Sequence, residues 1–505
     1  MSVEPSVNRR LFGNVGLNLG AQLIIIAINF ATIPFIVGHL GAELFGIVAL
    51  VQTIAGFAGI LNVGIGRALV KYVSELYWRG ETDKINELFQ TAWAICLIAG
   101  SLACLIVVWP SHWISNTLFR GTETADADLI TFAIYISAGA LFSTIVLDAV
   151  SAIPLAAQRF WIRNTIQIGV TASWCLGSVA LLNADYSIRS VLITYFLSNI
   201  AGAGGYIFFC MKLIPGLSLW PRVHWTALVK LANFSLPITI SAISAILVTR
   251  LDRFILAYYL PIAAVAYYTL PYSMAEKMST AVANVTSVVF PFASELHSMN
   301  AKGKLHELYL RATKMLTVMI LPMTVILVAI PWEILRFWLG EEYANQGATS
   351  MSLIGLSGYL NALTAVPSMI CLAIGRVWLC AIFAFLTAAF NLVANFVLIP
   401  HFGISGAAAG LLFSQVTIFP FVYLVNRILQ ISPWEFFSQT LLRPLVCGIA
   451  QFGFLYGVQS YINGIVSLLI ACISSVSVFG ILALYGVATA AERKHIWNWR
   501  ANLKS

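Results

Sequence analysis

The sequence predicts an all-α protein of the membrane. It reads as fourteen transmembrane helices arranged as two parallel six-helix lobes, with two further helices at the C-terminal side. Three observations lead there. Hydrophobic residues make up 60% of the 505 residues and charged residues only 10%, far from the balance of a soluble domain. Basic residues alternate between successive connections. And the chain repeats itself at a fixed offset.

The spans come first. About 20 apolar residues cross the hydrocarbon core as a helix. Fourteen such segments start near Leu11, Ala42, Leu88, Leu129, Asn164, Val191, Leu231, Ile262, Ala312, Gly347, Val377, Ile404, Leu441 and Gly464. Apolar and polar residues do not alternate at period two, which argues against a barrel. The first span is longer than a signal-peptide core, and no small-residue cleavage site follows it, so it is expected to be retained. Connections are short; the largest runs over 109–128.

Charge then sets the orientation. Of 28 Lys and Arg residues, 22 fall in the even-numbered connections or in the two ends of the chain. They include Arg9 and Arg10, Arg67, Lys71, Arg79, Lys84, Arg159, Arg163, Arg376, Arg427, Arg493, Lys494, Arg500 and Lys504. The opposite connections hold only Arg120, Arg189 and Arg336. The positive-inside rule places both termini in the cytoplasm. The net charge of +8 thus reflects topology. No compact basic domain is present to hold nucleic acid.

The repeat defines the domains. Residues 71–89 (KYVSELYWRGETDKINELF) align with residues 291–309 (PFASELHSMNAKGKLHELY) at an offset of 220. Ser74-Glu75-Leu76 falls on Ser294-Glu295-Leu296, and Lys84 on Lys304. A second pair, Gln158-Arg159-Phe160-Trp161 and Gly375-Arg376-Val377-Trp378, stands at an offset of 217. The expected division is a first lobe over 1–210, a cytoplasmic linker over 211–230 with Pro215, Gly216 and Pro221, and a second lobe over 231–430. Accessory helices follow over 431–490, then a cytoplasmic tail over 491–505. Each lobe holds an even number of spans, so the repeats run parallel, and a transport path between such bundles is the common use of this design.

Other chemistry is excluded or plain. No G-x-x-x-x-G-K-[ST] loop occurs, so the chain does not use ATP in that manner. The eight cysteines form no C-x-x-C pair and read as small buried hydrophobes. The seven histidines show no zinc spacing. No cofactor or metal is expected, and no enzymatic activity. Trp109, Trp113, Trp220, Trp225, Trp332, Trp338 and Trp434 read as interfacial anchors. The pairs Gly16/Gly20 and Gly406/Gly410 suit close helix packing. Pro34, Pro154, Pro237, Pro271 and Pro367 are candidate kinks or hinges. Glu75 and Glu295 read as helix-end carboxylates near basic neighbours, with a gate as the other use.

Several motifs now carry a resemblance. Gly38-His39-Leu40-Gly41 and Leu44-Phe45-Gly46 lie between the first two spans, followed by Asn62-Val63-Gly64-Ile65-Gly66-Arg67 and Ser74-Glu75. In the second half, Leu251-Asp252-Arg253-Phe254-Ile255-Leu256 precedes Ala264-Val265-Ala266-Tyr267-Tyr268, where Ala266 replaces the usual glycine. With the span count, these residues make the chain resemble the multidrug/oligosaccharidyl-lipid/polysaccharide (MOP) exporter superfamily. Within it the chain is similar to the polysaccharide-transporter branch, the Wzx-type flippases of O-antigen and capsule repeat units. The resemblance implies a MATE-like fold. It also implies transfer of undecaprenyl-diphosphate-linked oligosaccharides from inner to outer leaflet by alternating access, coupled to an H⁺ or Na⁺ gradient. Partners of the same synthesis, a polysaccharide polymerase and chain-length proteins, would come with it.

Charges at bilayer depth supply the candidate site, since they are costly unless they face a cavity or a partner. They are Asp148 in the fourth span, Arg250, Asp252 and Arg253 in the seventh, and Glu276 and Lys277 in the eighth. Arg250 and Arg253 share a helix face, whereas Asp252 lies about 200° around from Arg250. Arg250, Arg253 and Lys277 are the expected contacts for an anionic diphosphate head, to which arginine offers a two-pronged fork. A desolvated Glu276, Asp148 and Asp252 are the candidates for ion coupling. Static ion pairs between these helices are the alternative for each. A multidrug antiporter or other lipid exporter of the same superfamily, a membrane enzyme of polysaccharide assembly, and a channel are the competing functions. The first shares the architecture, the second lacks its large outer loop here, and the third lacks a filter-like segment.

Overall fold

The computed structural model describes residues 5–58, 65–77, 79–113 and 127–487. Of these, the side chains of residues 5–16, 19, 233–234, 236–249, 280–281, 284 and 287–288 are not described. Asn62, Val63 and Gly64 of the first motif, Arg120, His495 and the tail with Arg493, Lys494, Arg500 and Lys504 lie outside the described residues. So do the side chains of Arg9, Arg10, Gly16 and Pro237.

Among the described residues the regular structure is helical, as lipid demands of a chain that must satisfy its own backbone. The first unit holds α1 (Pro5–Gly56), α2 (Ile65–Tyr77), α3 (Thr82–Val108), α4 (Ala127–Ala156), α5 (Phe160–Asn183), α6 (Ile188–Leu213) and α7 (Trp225–Tyr259). Then come α8 (Ala263–Glu276), α9 (Met278–Ser298), α10 (Lys302–Ala329), the short α11 (Pro331–Leu339), α12 (Glu341–Leu363) and α13 (Ala365–Ala373). The chain continues with α14 (Val377–Ser414), α15 (Ile418–Ile428), α16 (Arg443–Val458) and α17 (Ile465–Gly486).

Ten helical stretches among the described residues are long and apolar enough to cross a membrane, against fourteen expected. The physical reasons for part of the difference are visible. Two of the ten run through a glycine with non-helical backbone, Gly41 (φ 73°) in α1 and Gly403 (φ 59°) in α14. These fall at the expected joints between spans one and two and between spans eleven and twelve. Across the second joint, Gly406 stands against the Leu398 carbonyl and Gly410 against Asn395, so a side chain at either would collide. The expected eighth span is broken at Lys277 into helices of 14 and 21 residues.

Packing divides the chain into two compact units, Met1–Ala266 and Tyr267–Ser505. The boundary lies well past the Pro/Gly-rich linker. α7, which the repeat assigns to the second lobe, packs on α1, α2 and α3, and its Leu231 joins a core built by Leu69, Phe89, Ile145 and Ile153. In the second unit α10 is central, with Tyr309, Leu316 and Ile320 buried. The two C-terminal helices belong to this unit: α16 packs on α10 and α17 on α16. Gly448 lets α16 meet Leu321 closely. Gln451 Nε2 donates to the Pro322 carbonyl at 3.2 Å and lies 3.3 Å from Ser475 Oγ, polar glue of the kind membrane helices use.

The sequence repeat recurs as geometry. Gly80 (φ 70°) and Asn300 (φ 54°) are equivalent left-handed residues. Each is followed by a residue whose N–H reaches back five positions, Glu81 to the Leu76 carbonyl at 3.2 Å and Ala301 to Leu296 at 3.0 Å. Gln158 (φ 56°) and Gly375 (φ 77°) repeat the pattern, with Arg159 N–H on the Pro154 carbonyl and Arg376 N–H on Cys371, both at 2.8 Å. This is the helix-ending turn that spends a left-handed residue to satisfy the last carbonyls. Glycine fits it without strain at 80 and 375; Gln158 costs roughly 1 kcal/mol more.

One tryptophan departs from its expected role. Trp338 of α11 is buried, whereas Trp109, Trp113, Trp220, Trp225 and Trp434 are exposed. The short α11 turns its Trp338 face inward with Ile334 and Leu335.

Candidate functional site

The site is built on a seam between two helices of the first unit. The second half of α1 carries an apolar stripe, Ile47, Leu50, Val51, Ile54 and Phe57, at helical spacing. Beside it runs a stripe of Gly46, Thr53 and Gly56. α7 meets this second stripe running antiparallel. Gly46 lies under the Ile262 carbonyl, just past the end of α7, and Gly56 lies under the Arg250 guanidinium; a Cβ at either glycine would overlap what covers it. Between them, Arg253 Nη1 donates to Thr53 Oγ1 at 3.3 Å. The Thr53 hydroxyl in turn donates to the Ala49 carbonyl at 2.7 Å, so it can face the guanidinium only as an acceptor. Phe57 and Phe254 close the pairing edge to face, with ring centroids 5.6 Å apart.

Arg250 and Arg253 therefore rest on the same partner helix, as their three-residue spacing requires. Arg253 is buried and Arg250 half-buried. Asp252 is fully buried, and its Oδ1 accepts the Arg253 N–H at 2.8 Å. That bond ties the carboxylate to its own helix. The Arg250 charge also acts on the Tyr195 hydroxyl of α6. Along the seam from Arg253 the surroundings become wholly apolar. A cavity of about 240 Å³ opens there, lined among others by Ile47, Val51, Ile106, Ile134, Phe254 and Ile262.

Asp148 forms a second centre in the same unit. It sits on α4, half-buried, with its carboxylate packed over Gly66 at the start of α2 so that any side chain there would collide. The cations that act on it are Arg163 and Arg67. A carboxylate under the charge of two arginines can take up a proton or a small cation, because either state is locally compensated.

The last two candidates lie in the second unit and are arranged differently. Glu276 ends α8 and Lys277 caps α9. Lys277 N–H bonds the Met274 carbonyl at 3.2 Å, a tight turn in place of continuing helix. Glu276 is exposed and Lys277 half-buried. The Glu276 side chain is thus left outside the packed interior of its own unit, at the break between the two helices.

Thr53, Gly56, Gly66, Arg67 and Arg163 were not among the sequence candidates. Gly46, Thr53 and Gly56 carry a signal, because small residues at i, i+7 and i+10 mark one close-packed stripe. The role of Arg67 and Arg163 beside Asp148 was masked by their second reading as topology signals.

Comparison with known proteins places these features. A family model described as "Polysaccharide biosynthesis protein" matches residues 40–347, a stretch that contains both centres and the break at Lys277. A Shigella flexneri protein named "Putative O-antigen transporter" is 23% identical over 410 residues, covering 77% of this chain and 91% of that protein. Among solved structures, an inward-facing MATE-family multidrug transporter of the MOP superfamily superimposes with a TM-score of 0.67 at 13% identity, covering 80% of this chain and 94% of that one. The lipid II flippase MurJ, in an inward closed conformation, gives 0.66 at 16% identity, covering 91% of this chain and 98% of that one.

Proposed function

Since the chain belongs to the polysaccharide biosynthesis protein family and is a multi-pass membrane protein, we propose that it is a flippase for lipid-linked oligosaccharides. The cargo would be an undecaprenyl-diphosphate-linked repeat unit, moved from the inner to the outer leaflet of the bacterial cytoplasmic membrane, with both termini of the protein inside. The name of the Shigella flexneri relative supports the class of cargo. The two folds, drug transporter and lipid flippase, match equally well, so the fold itself does not choose between them.

The observation that carries the reading is the pair of arginines on α7. Arg253 is anchored by Thr53, and Arg250 presents a half-buried guanidinium over Gly56. A drug antiporter of cations gains nothing from two fixed cations on one stripe. A diphosphate gains two forked donors at the depth where losing water would otherwise cost it most. Lys277, at the helix break, is the third proposed contact. The protein's task is to replace water around the diphosphate while the polyprenyl tail stays in lipid. Asp148, on which the charges of Arg163 and Arg67 act, is proposed as the ion-coupling group, with Asp252 and Glu276 as further candidates; H⁺ and Na⁺ both fit a carboxylate. A polysaccharide polymerase and chain-length proteins are the proposed partners in the same synthesis.

Arg250→Ala tests the reading directly. It removes the half-buried fork and leaves Arg253, Asp252 and Thr53 in place. Expected is a loss of lipid-linked oligosaccharide translocation of about tenfold or more, as for a hydrogen-bonded charge, at unchanged membrane abundance. Full translocation by the variant, or efflux of cationic drugs by the parent protein, would overturn it in favour of the multidrug reading.

A further inference from the structure

The second copy of the arginine-tryptophan motif has a feature that the first lacks. At the start of α14, Gly375, Arg376 and Trp378 border a surface cavity of about 560 Å³, and Arg427 of α15 borders it from the other side. The rest of the lining is apolar: Leu379 and Ile382 on α14, Leu424 and Ile428 on α15. No carboxylate is among the lining residues. The cavity thus has two cations at one end and, one to two helical turns farther along, a hydrocarbon strip. Trp378 stands beside the cations, 80% exposed, where an indole belongs at a membrane–water boundary.

One basic residue at such a helix end is all that orientation in the membrane asks for. The first unit carries basic residues at its copy of this corner, Arg159, Arg163 and Lys212, but no arginine in the place of Arg427. Its copy of the motif makes the same turn at Gln158 and Arg159. Yet the residue equivalent to Arg427 at the offset of 217 is Cys210, which is buried with its thiol on the Val150 carbonyl at 3.2 Å. Two guanidinium groups facing one hollow repel each other, and a shared anion removes that repulsion. A phosphate diester offers each of them a charge-assisted bond.

We propose that Arg376 and Arg427 form a binding site for an anionic phospholipid of the cytoplasmic leaflet. Its phosphate lies between the two arginines, and an acyl chain runs along Leu379, Ile382, Leu424 and Ile428. Basic pockets between membrane helices on the cytoplasmic side recognise headgroups in this way. The site does not depend on the cargo of the transporter.

The test uses the full-length protein in lipid nanodiscs containing a photoactivatable phosphatidylglycerol or the matching phosphatidylcholine, with labelled peptides located by mass spectrometry. Peptides 375–382 and 424–428 of the parent protein should label with the phosphatidylglycerol roughly tenfold over the phosphatidylcholine, given two basic residues at the surface. R376Q/R427Q should lose that preference, while Arg159→Gln, in the first unit's copy of the motif, should keep it. Equal labelling by both lipids in the parent protein, which needs no variant to fold, overturns the proposal; so does an undiminished preference in R376Q/R427Q. Displacement of the phosphatidylglycerol label by millimolar inorganic phosphate would assign the pair to soluble phosphate and overturn the lipid site.

Discussion

Two groups of charges sit in neighbouring segments of this protein and meet opposite surroundings. Arg250, Asp252 and Arg253 lie in an unbroken helix; Arg250 and Arg253 rest against the glycine and threonine stripe of α1, and Asp252 is fully buried. Glu276 and Lys277 lie only a few turns later, at a point where the helix gives way, and Glu276 is exposed. By residue count both groups fall at bilayer depth. The difference teaches that depth along a span does not determine what a charge experiences. A partner helix with small side chains lets long basic side chains fold down between backbones, whereas at the helix break Glu276 is left exposed beside a half-buried Lys277.

That comparison can be broken most severely at Arg253. Arg253→Ala removes a buried guanidinium adjacent in sequence to the fully buried Asp252, and if Arg253 is the cation that compensates it, the loss costs about 3–5 kcal/mol. Thermal unfolding in detergent should shift down sharply, and Arg253→Lys should recover part of the loss; an unchanged melting curve would mean that Asp252 is compensated elsewhere. Gly56→Leu comes next. Its side chain would displace the Arg250 guanidinium, and overpacking of this kind costs about 1–3 kcal/mol. Translocation should fall to the level of Arg250→Ala while Gly20→Leu, with open space around it, should be nearly neutral. Parity of the two leucine variants in the transport assay would dissolve the role given to the stripe. A smaller effect is expected from Thr53→Val. It removes one acceptor for Arg253, and such bonds inside membranes are worth about 0.6 kcal/mol, so a slight drop in melting temperature should accompany near-normal transport. The smallest belongs to Glu276→Gln, an exposed position where stability should change by about 0.5 kcal/mol or less. A large destabilisation there would show that the two charge groups are not so different after all.

Much of the architecture could be read in the residues, and the reasons are local. Spans follow from apolar length, and the joints at Gly41 and Gly403 from glycine among apolar neighbours. The repeat was visible in Ser74-Glu75-Leu76 and Ser294-Glu295-Leu296, and it returns as matching turns at Gly80 and Asn300 because the same spacing of helix-end residues satisfies the same carbonyls. The shared face of Arg250 and Arg253 needed only helix geometry. Their partners on α1 lay some 200 residues away in sequence, and no periodicity connects positions so distant. Trp338 likewise reads as an anchor next to its neighbours, and is buried only because α11 folds its face inward.

Sequence alone settled the helical membrane class and the internal duplication, and it named the charges expected at bilayer depth. Those properties depend on composition and on neighbours within a few turns. Tertiary structure decided which of those charges are enclosed, that α7 packs with the first unit, and that Arg427 meets Arg376 at one cavity whereas a buried Cys210 takes the equivalent place in the first unit. The physical reason is that enclosure depends on what a distant helix places opposite each side chain, and a linear sequence specifies that only through the packing of the whole.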